Sequence, residues 1–300
     1  MRLNQKTKLT AIYAFLLLFL GLFGYYIKSH PAVVNELKHI NVWLLVALLI
    51  GYGFMLLTLM AVNNAILSLC SNPLKIKENL LLTIYSTLTN FIMPLQSGIG
   101  VRTAYVKRRH KVSVSSYIVA TLIYFTIYAI ISSIILFATG HYILLVIPGV
   151  ALVCLISYLV IRLATKHFER QRKLISLDLS REKITRIVLI TLIQILLQAV
   201  IYYIELRQVS GHAINPLRAI SYTGAANFSL FVALTPGAIG FREAFLAIAH
   251  RMHGFSGAQI VAANIIDRGV FLVFIGTLFV IMLSTHAKDR ITPTDLKKPQ

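Results

Sequence analysis

The sequence is poor in acidic residues and in cysteine, and each shortage excludes a class of protein. Of its 300 residues, 10 are Asp or Glu and 29 are Lys or Arg, and the only cysteines are Cys70 and Cys154. Two cysteines without metal-ligand or redox spacing exclude a disulfide framework and give no support for a zinc site. A nucleotide-binding loop and a catalytic serine or cysteine signature are also missing. We therefore expect no cofactor and no metal, and we expect that the protein is not an enzyme.

Charge of either sign is scarce, and long apolar runs take its place. Hydrophobic residues make up 57% of the chain and charged residues 13%, whereas soluble domains have roughly 45–50% and 25%. A helix needs about 20 apolar residues to cross a bilayer. Six segments meet this requirement: residues 9–27, 41–63, 115–138, 142–163, 187–204 and 258–283. The sequence therefore predicts an all-α integral membrane protein with six full transmembrane helices in a single polytopic domain, residues 1–300.

Two further apolar segments are shorter or more polar than these six. Residues 79–94 and 219–236 each stop at a proline, Pro94 and Pro236. Such a segment is either a short crossing or a re-entrant hairpin, and broken backbone at membrane depth is tolerated only where protein or a water-filled cavity satisfies it. The distribution of charge favours two re-entrant segments.

Basic clusters between the apolar segments account for the formal net charge of +19. Cytoplasmic loops collect Lys and Arg, so we interpret the clusters as a topology signal and expect no nucleic-acid partner. Lys75 and Lys77 precede residues 79–94, and Arg102, Lys107, Arg108, Arg109 and Lys111 follow that segment. Both clusters are cytoplasmic only if the segment returns to the face it entered. Residues 74 and 107 are then cytoplasmic, residue 141 is outside, and both termini of this multi-pass protein lie on the cytoplasmic side of the cell (inner) membrane.

A short motif occurs twice along the chain. IGVRTAY at residues 99–105 matches IGFREAF at residues 239–245, and each follows an Asn-Phe pair and a proline. The halves 1–140 and 141–300 each hold helix, helix, broken segment and helix, and three crossings per half predict that the second repeat is inverted. Inverted repeats with Pro/Gly-broken segments indicate a transport site near the midplane. The backbone residues expected at the breaks are Asn90, Pro94, Gly98, Gly100, Asn227, Pro236, Gly237 and Gly240.

These motifs carry a resemblance to a known family. TPGAIGFREA, followed by a final helix bearing Asp267 and Arg268, together with the weaker NFIMPLQSGIGVRTAYV, resembles the flippase-like transmembrane region of the lysylphosphatidylglycerol synthase family. The resemblance implies a polytopic membrane protein that handles lipid or lipid-linked sugar headgroups. Some members also carry a soluble aminoacyl-transferase domain. The 300 residues contain no such domain, so we do not expect the synthase chemistry.

Asp267 and Arg268 are charged residues in the middle of an apolar helix. They lie about ten residues into segment 258–283, or about 14 Å along it, near the centre of a hydrocarbon core about 30 Å thick. An unpaired charge there costs about 2.5 to 3.5 kcal/mol. Asn264 shares their helix face, and Asp267 is expected to pair with Arg268 or with a re-entrant arginine. The group is either a structural ion pair or part of a headgroup or coupling site.

Arg242 and Glu243 open a helix directly after the second broken segment. Helix N-termini and arginine suit an anionic group such as a lipid phosphate. Glu243 could orient Arg242 or receive a cationic headgroup, and the alternative is a simple N-terminal charge pair at the interface. Arg102 is the counterpart in the first repeat, or one more cytoplasmic charge.

The function that these features predict is translocation of a lipid or lipid-linked polar headgroup between leaflets. The expected partner is a membrane lipid, anionic or lipid-linked. Two alternatives stay open at this point. One is an accessory membrane module that positions or regulates a lipid-modifying enzyme, which would then be a partner, and the other is an intramembrane lipid transferase with Asp267 or Glu243 as base.

Overall fold

The computed structural model of the protein describes residues 41–70, 73–92, 97–139, 144, 146–167, 177–229 and 241–289. Ten α-helices make up the regular structure of these residues. They are α1 (Val42–Ser68), α2 (Ile76–Ile92), α3 (Gly98–His110), α4 (Val114–Thr139), α5 (Val146–His167), α6 (Arg181–Ser210), α7 (Pro216–Ser229), α8 (Phe241–Ile248), α9 (His250–His253) and α10 (Gly257–Asp289). The prediction of an all-helical protein is confirmed for the residues described.

Four of these helices are candidate membrane spans. α1, α4, α6 and the part Gly257–Met282 of α10 are long and apolar enough to cross a bilayer, and they correspond to four of the six predicted crossings. Of the other two, residues 9–27 lie outside the described residues. The segment 142–163 corresponds to α5, in which the described apolar stretch Val146–Ile156 is shorter than a full span.

The long helices carry apolar side chains on their outer faces as well as inside. On α1, Val46, Ile50, Phe54 and Leu57 are exposed and recur at three- and four-residue intervals, so they line one face of the helix. In a water-soluble protein such a stripe would be covered. In a membrane protein such a stripe faces lipid.

Small residues allow the helices to approach closely in the interior. A Cβ atom added at Gly224 of α7 would lie 2.8 Å from the backbone nitrogen of Leu136 in α4. Ser132 and Ser133 of α4 are fully buried. Because apolar surface gains little from burial inside a lipid phase, helices in membranes associate through such close contacts and through interhelical hydrogen bonds.

The first short segment forms a helical hairpin of α2 and α3. At its open end, Glu78 near the start of α2 accepts a hydrogen bond from the Tyr105 hydroxyl (2.7 Å) and contacts Nε2 of His110 at the end of α3 (2.7 Å). Burial opposes ionisation of Glu78, but these hydrogen bonds outweigh it and lower the pKa of its carboxyl. At the closed end, Oδ1 of Asn90 accepts a hydrogen bond from the Gly98 amide (2.6 Å). The two helices are therefore antiparallel.

The second short segment packs in the same way. Phe228 at the end of α7 contacts Phe245 of α8, with ring centroids 5.5 Å apart, and Tyr222 nearer the start of α7 contacts His253 of α9 at 5.3 Å. Nε2 of His253 lies 3.0 Å from the Leu246 carbonyl oxygen, and burial lowers the pKa of this histidine to about 4. Pro236, Gly237 and Gly240, like Pro94 in the first segment, lie outside the described residues.

Candidate functional site

A buried ion pair joins the second hairpin to the final helix. Nη1 of Arg242, in the first turn of α8, lies 2.6 Å from Oδ2 of Asp267 in α10, and the two side chains are 10% and 9% exposed. The other carboxylate oxygen of Asp267 accepts a hydrogen bond from the hydroxyl of Tyr52 in α1. The predicted cationic partner of Asp267 is thus Arg242 of the broken segment. Residues of α1, α8 and α10 therefore meet at this carboxylate.

The Arg242 guanidinium has hydrogen-bonding capacity left over. Its Cζ atom lies 4.9 Å from the centroid of the Tyr202 ring, a cation–π contact. Its Nε and Nη2 atoms are buried and have no hydrogen-bond partner among the described residues. A guanidinium presents its N–H groups in a planar fork that suits two oxygens of a phosphate or carboxylate.

Glu205 of α6 adds a second carboxyl group to the cluster. The residue lies one helical turn from Tyr202, is 1% exposed, and its Oε1 has no partner within the described part of the chain. The sequence analysis did not single out Glu205, which lies near the end of an apolar segment beside Arg207. The sequence does contain a pattern that indicates Glu205: Gln198, Tyr202 and Glu205 recur at helical spacing and form a polar stripe.

The other predicted residues of the final helix lie beside this cluster. Nδ2 of Asn264 donates to the Ile260 carbonyl (2.9 Å) and approaches the Tyr222 hydroxyl at 3.5 Å, and its Oδ1 has no partner among the residues described. Arg268 is half-buried.

The side chain of Glu243, next to Arg242 in α8, lies outside the described part of the structure, so its predicted role stays a prediction.

Arg102 forms a different cluster in the first hairpin. Nη1 of Arg102 donates to Oδ1 of Asn63 in α1. Nδ2 of Asn63 donates to the Thr83 hydroxyl of α2 (2.7 Å), which donates to the Asn79 carbonyl (2.7 Å). The guanidinium is thus bound by a neutral amide where Arg242 has a carboxylate. Both motif arginines reach the neighbouring long helices, but their electrostatic surroundings differ.

The family described as the lysylphosphatidylglycerol synthase TM region matches residues 9–278 of the chain. The chain belongs to this family. Neither the curated proteins nor the solved structures compared with the chain gave a match. Membership confirms the predicted resemblance, identifies a multi-pass membrane protein and indicates a function related to membrane lipids. The match includes both motif arginines and Asp267.

Within this lysylphosphatidylglycerol synthase TM region, polar side chains of α4 and α6 form a row that reaches Arg242. The Tyr124 hydroxyl of α4 donates to Oε1 of Gln194 in α6 (2.9 Å), and the Tyr128 hydroxyl donates to Oε1 of Gln198 (3.3 Å). Nε2 of Gln198 donates to the hydroxyl of Tyr202 (2.8 Å), whose ring makes the cation–π contact with Arg242. The sequence analysis missed this row, although its members recur at four-residue intervals on each helix.

Proposed function

We propose that the protein moves a lipid with an anionic or lipid-linked polar headgroup between the two leaflets of the membrane. The observation that carries the proposal is Arg242, which is buried beside a candidate membrane span and has two N–H positions, Nε and Nη2, without a partner in the described structure. A buried cation with spare donors favours an anionic ligand. No covalent step is required of any residue, so we propose a transporter and not an enzyme.

The ion pair with Asp267 supplies a way to bind and release such a headgroup. Asp267 occupies Nη1 of Arg242, while Nε and Nη2 point elsewhere on the same guanidinium. A headgroup phosphate can therefore contact Arg242 and compete with Asp267 for its charge. When the phosphate leaves, the carboxylate compensates the buried cation again. An internal carboxylate of this kind keeps the site from trapping its ligand, because bound and unbound states both have the guanidinium paired.

We further propose that the two halves form an inverted repeat with two re-entrant hairpins. The packing of the helices supports this. Exchange α1 with α6, α2 with α7, α3 with α8, and α4 with α10. The contacts within the first half then become those within the second: α1–α2 becomes α6–α7, α2–α3 becomes α7–α8, and α3–α4 becomes α8–α10. The contact α4–α7 between the halves becomes the contact α10–α2, which also joins the halves. An inverted repeat would bring the broken ends of both hairpins toward the midplane from opposite faces.

The hairpin assignment predicts the membrane side of the residues at the base of α2 and α3. Single cysteines at positions 75 and 107, which are both exposed, should be labelled from the cytoplasmic side by a membrane-impermeant reagent. A cysteine at position 141, which lies outside the described residues, should be labelled from outside. We choose position 75 for labelling in place of position 74, because Leu74 is buried. The background should lack Cys70 and Cys154. Labelling of position 75 and position 107 from opposite sides would mean that the segment crosses the membrane.

Transport itself is tested with purified protein in phosphatidylglycerol-containing vesicles. The wild type should move a labelled phosphatidylglycerol between leaflets faster than empty vesicles do. Arg242→Ala should abolish the movement because it removes the anion-binding fork, and Asp267→Asn should do so because the guanidinium loses its competing carboxylate. Arg251→Ala is the matched control, since Arg251 is an exposed arginine on α9 of the same hairpin, and it should transport as the wild type does.

Three results would contradict the proposal. Equal transport by the wild type, Arg242→Ala and Asp267→Asn, with all three folded, would remove the ion pair from the mechanism. No movement of phosphatidylglycerol or of a lipid-linked sugar would favour the accessory module. Conversion of the lipid into a new product, detected by mass spectrometry, would favour the lipid transferase instead.

A further inference from the structure

The two motif arginines contact the same side of α1. Nη1 of Arg102 donates to Oδ1 of Asn63 in this helix. Arg242 reaches α1 through Asp267, whose carboxylate accepts a hydrogen bond from Tyr52. Tyr52 and Asn63 are 11 residues apart in α1. Because 11 residues make about three full turns of an α-helix, the two side chains project from nearly the same side, about 17 Å apart along the axis.

These two contacts lie at different depths along α1. The helix has 27 residues, Val42–Ser68, with its midpoint at residue 55. In a hydrocarbon core about 30 Å thick and centred on that residue, Tyr52 lies about 5 Å from the midplane, whereas Asn63 lies about 12 Å from it, near the edge of the core. Long basic side chains extend their charge toward the interface. The guanidinium of Arg102 can therefore reach the phosphates of the leaflet at the C-terminal end of α1.

The charge of Arg102 has no carboxylate partner among the described residues. The residue is half-buried, and its Nε is buried without a hydrogen-bond partner in the described part of the chain. Glu78 of the same hairpin is bound by Tyr105 and His110, each at 2.7 Å. A guanidinium with a spare donor and no internal counterion favours an anion from outside the chain.

The neutral partner of Arg102 is fixed by a buried network. Nδ2 of Asn63 donates to the hydroxyl of Thr83 (2.7 Å), which donates to the Asn79 carbonyl oxygen (2.7 Å). Nδ2 of Asn79 in turn donates to the Met60 carbonyl oxygen (2.7 Å). Because Nδ2 of Asn63 is already bound, its Oδ1 is the atom that faces the guanidinium. The network thus orients Arg102 without cancelling its charge.

We propose that Arg102 is a loading site, which binds the phosphate group of an anionic lipid from the leaflet at the C-terminal end of α1 before the headgroup moves inward to Arg242. A phosphate meets no competing carboxylate at Arg102, whereas at Arg242 it competes with Asp267. Arg102 is therefore the tighter of the two sites. The side of α1 that both arginines contact leads from one site to the other. This inference rests on the proposed function.

Binding at Arg102 is tested separately from transport, by native mass spectrometry of the full-length protein in detergent with added phosphatidylglycerol. The first lipid to bind should bind about tenfold more weakly to Arg102→Ala, because a charge-assisted hydrogen bond is lost. Asn63→Asp should weaken binding as well, since the new carboxylate competes for Arg102 as Asp267 does for Arg242. Arg108→Ala is the control, because Arg108 is an exposed arginine of the same helix, and it should bind the lipid as the wild type does.

Two further ligands identify the source of the phosphate. Diacylglycerol with the same acyl chains lacks the phosphate group, so its binding should not depend on Arg102. Inorganic phosphate lacks the acyl chains and should bind much more weakly than phosphatidylglycerol. If inorganic phosphate binds equally well and in an Arg102-dependent manner, the site takes a free anion, and the loading role is overturned. Equal affinity of the wild type, Arg102→Ala and Asn63→Asp for phosphatidylglycerol, with unchanged unfolding midpoints, would also overturn it.

Loading is tested in vesicles that contain increasing fractions of labelled phosphatidylglycerol. Arg102→Ala should raise the fraction that gives half-maximal transport by about tenfold and should approach the wild-type rate at high fractions, because a loading site contributes to binding and not to later steps. Arg108→Ala should follow the wild-type curve. An unchanged half-maximal fraction in Arg102→Ala overturns loading while leaving the proposed function intact. If the wild type moves no lipid at all, the proposed function fails and the loading role with it, and the binding titration still decides whether Arg102 holds a phosphate.

Discussion

Replacing Asp267 with alanine is expected to lower the free energy of unfolding by about 3 to 5 kcal/mol, because it leaves a buried cation without its partner. Arg242 is enclosed to the same degree as Asp267, so water cannot substitute for the lost carboxylate. The loss should be measured as a shift of the chemical unfolding midpoint in detergent or lipid, on purified protein of each variant. Asp267→Asn should be less damaging, since an amide oxygen still accepts hydrogen bonds.

A double variant separates the charge from the space that it fills. Replacing Asp267 with leucine and Arg242 with methionine removes both charges and keeps apolar volume, and buried pairs replaced in this way are often as stable as the original or more so. We expect the double variant to recover most of the stability lost in Asp267→Ala and to remain inactive in transport. If the free energy of unfolding of Asp267→Ala lies within about 0.5 kcal/mol of the wild-type value, as is typical of surface substitutions, the ion pair is not buried as described.

Gly98→Ala should also destabilise the protein strongly. A Cβ atom at this position would lie 2.4 Å from the Ser86 carbonyl oxygen and 2.7 Å from Oδ1 of Asn90. Because the closer atom belongs to the backbone, α2 and α3 must separate, and overpacking of this kind costs about 1 to 3 kcal/mol. The separation would also break the hydrogen bond from the Gly98 amide to Asn90. Unfolding midpoints measure the loss, and cysteine labelling near the hairpin tip measures the separation.

Gly100→Ala is the matched control for this prediction. Gly100 lies two residues further along α3, is exposed, and a Cβ atom there would meet no atom within 4 Å. Alanine is favoured over glycine inside a helix by roughly 0.5 to 1 kcal/mol, so the variant should be unchanged or slightly more stable. Equal effects of the two substitutions would mean that α2 and α3 do not pack as described.

The sequence predicted the buried charge but not its surroundings. The position of Asp267 in an apolar helix follows from counting residues, since helix length converts directly into depth. The partners of Asp267 could not be predicted in this way, because only tertiary packing brings Tyr52 and Arg242 to its carboxylate. Glu205 was overlooked for a related reason. A carboxylate near the end of an apolar segment is compatible with an interfacial position, and only the packing of α1, α7 and α10 around α6 places it in the interior.

The fold was predictable to a similar extent. Long apolar runs determine the four candidate spans, and their bounds agree with the predicted segments to within a few residues, except that α6 extends into the polar residues on both sides. The proline-terminated segments were recognisable as different from the spans. Their antiparallel packing depends on contacts such as those between Glu78 and His110, which are side-chain interactions between residues that no helical period relates.

The unequal partners of the two motif arginines make the electric field across the protein asymmetric. Arg102 is bound by a neutral amide and keeps its full positive charge, whereas the charge of Arg242 is cancelled by Asp267 at 2.6 Å. An approaching anion is attracted over a longer range by the first cluster than by the second, and salt screens that attraction more effectively. The two arginine clusters are therefore electrically distinct: one behaves as a point charge and the other as a dipole, whose influence falls away much faster with distance.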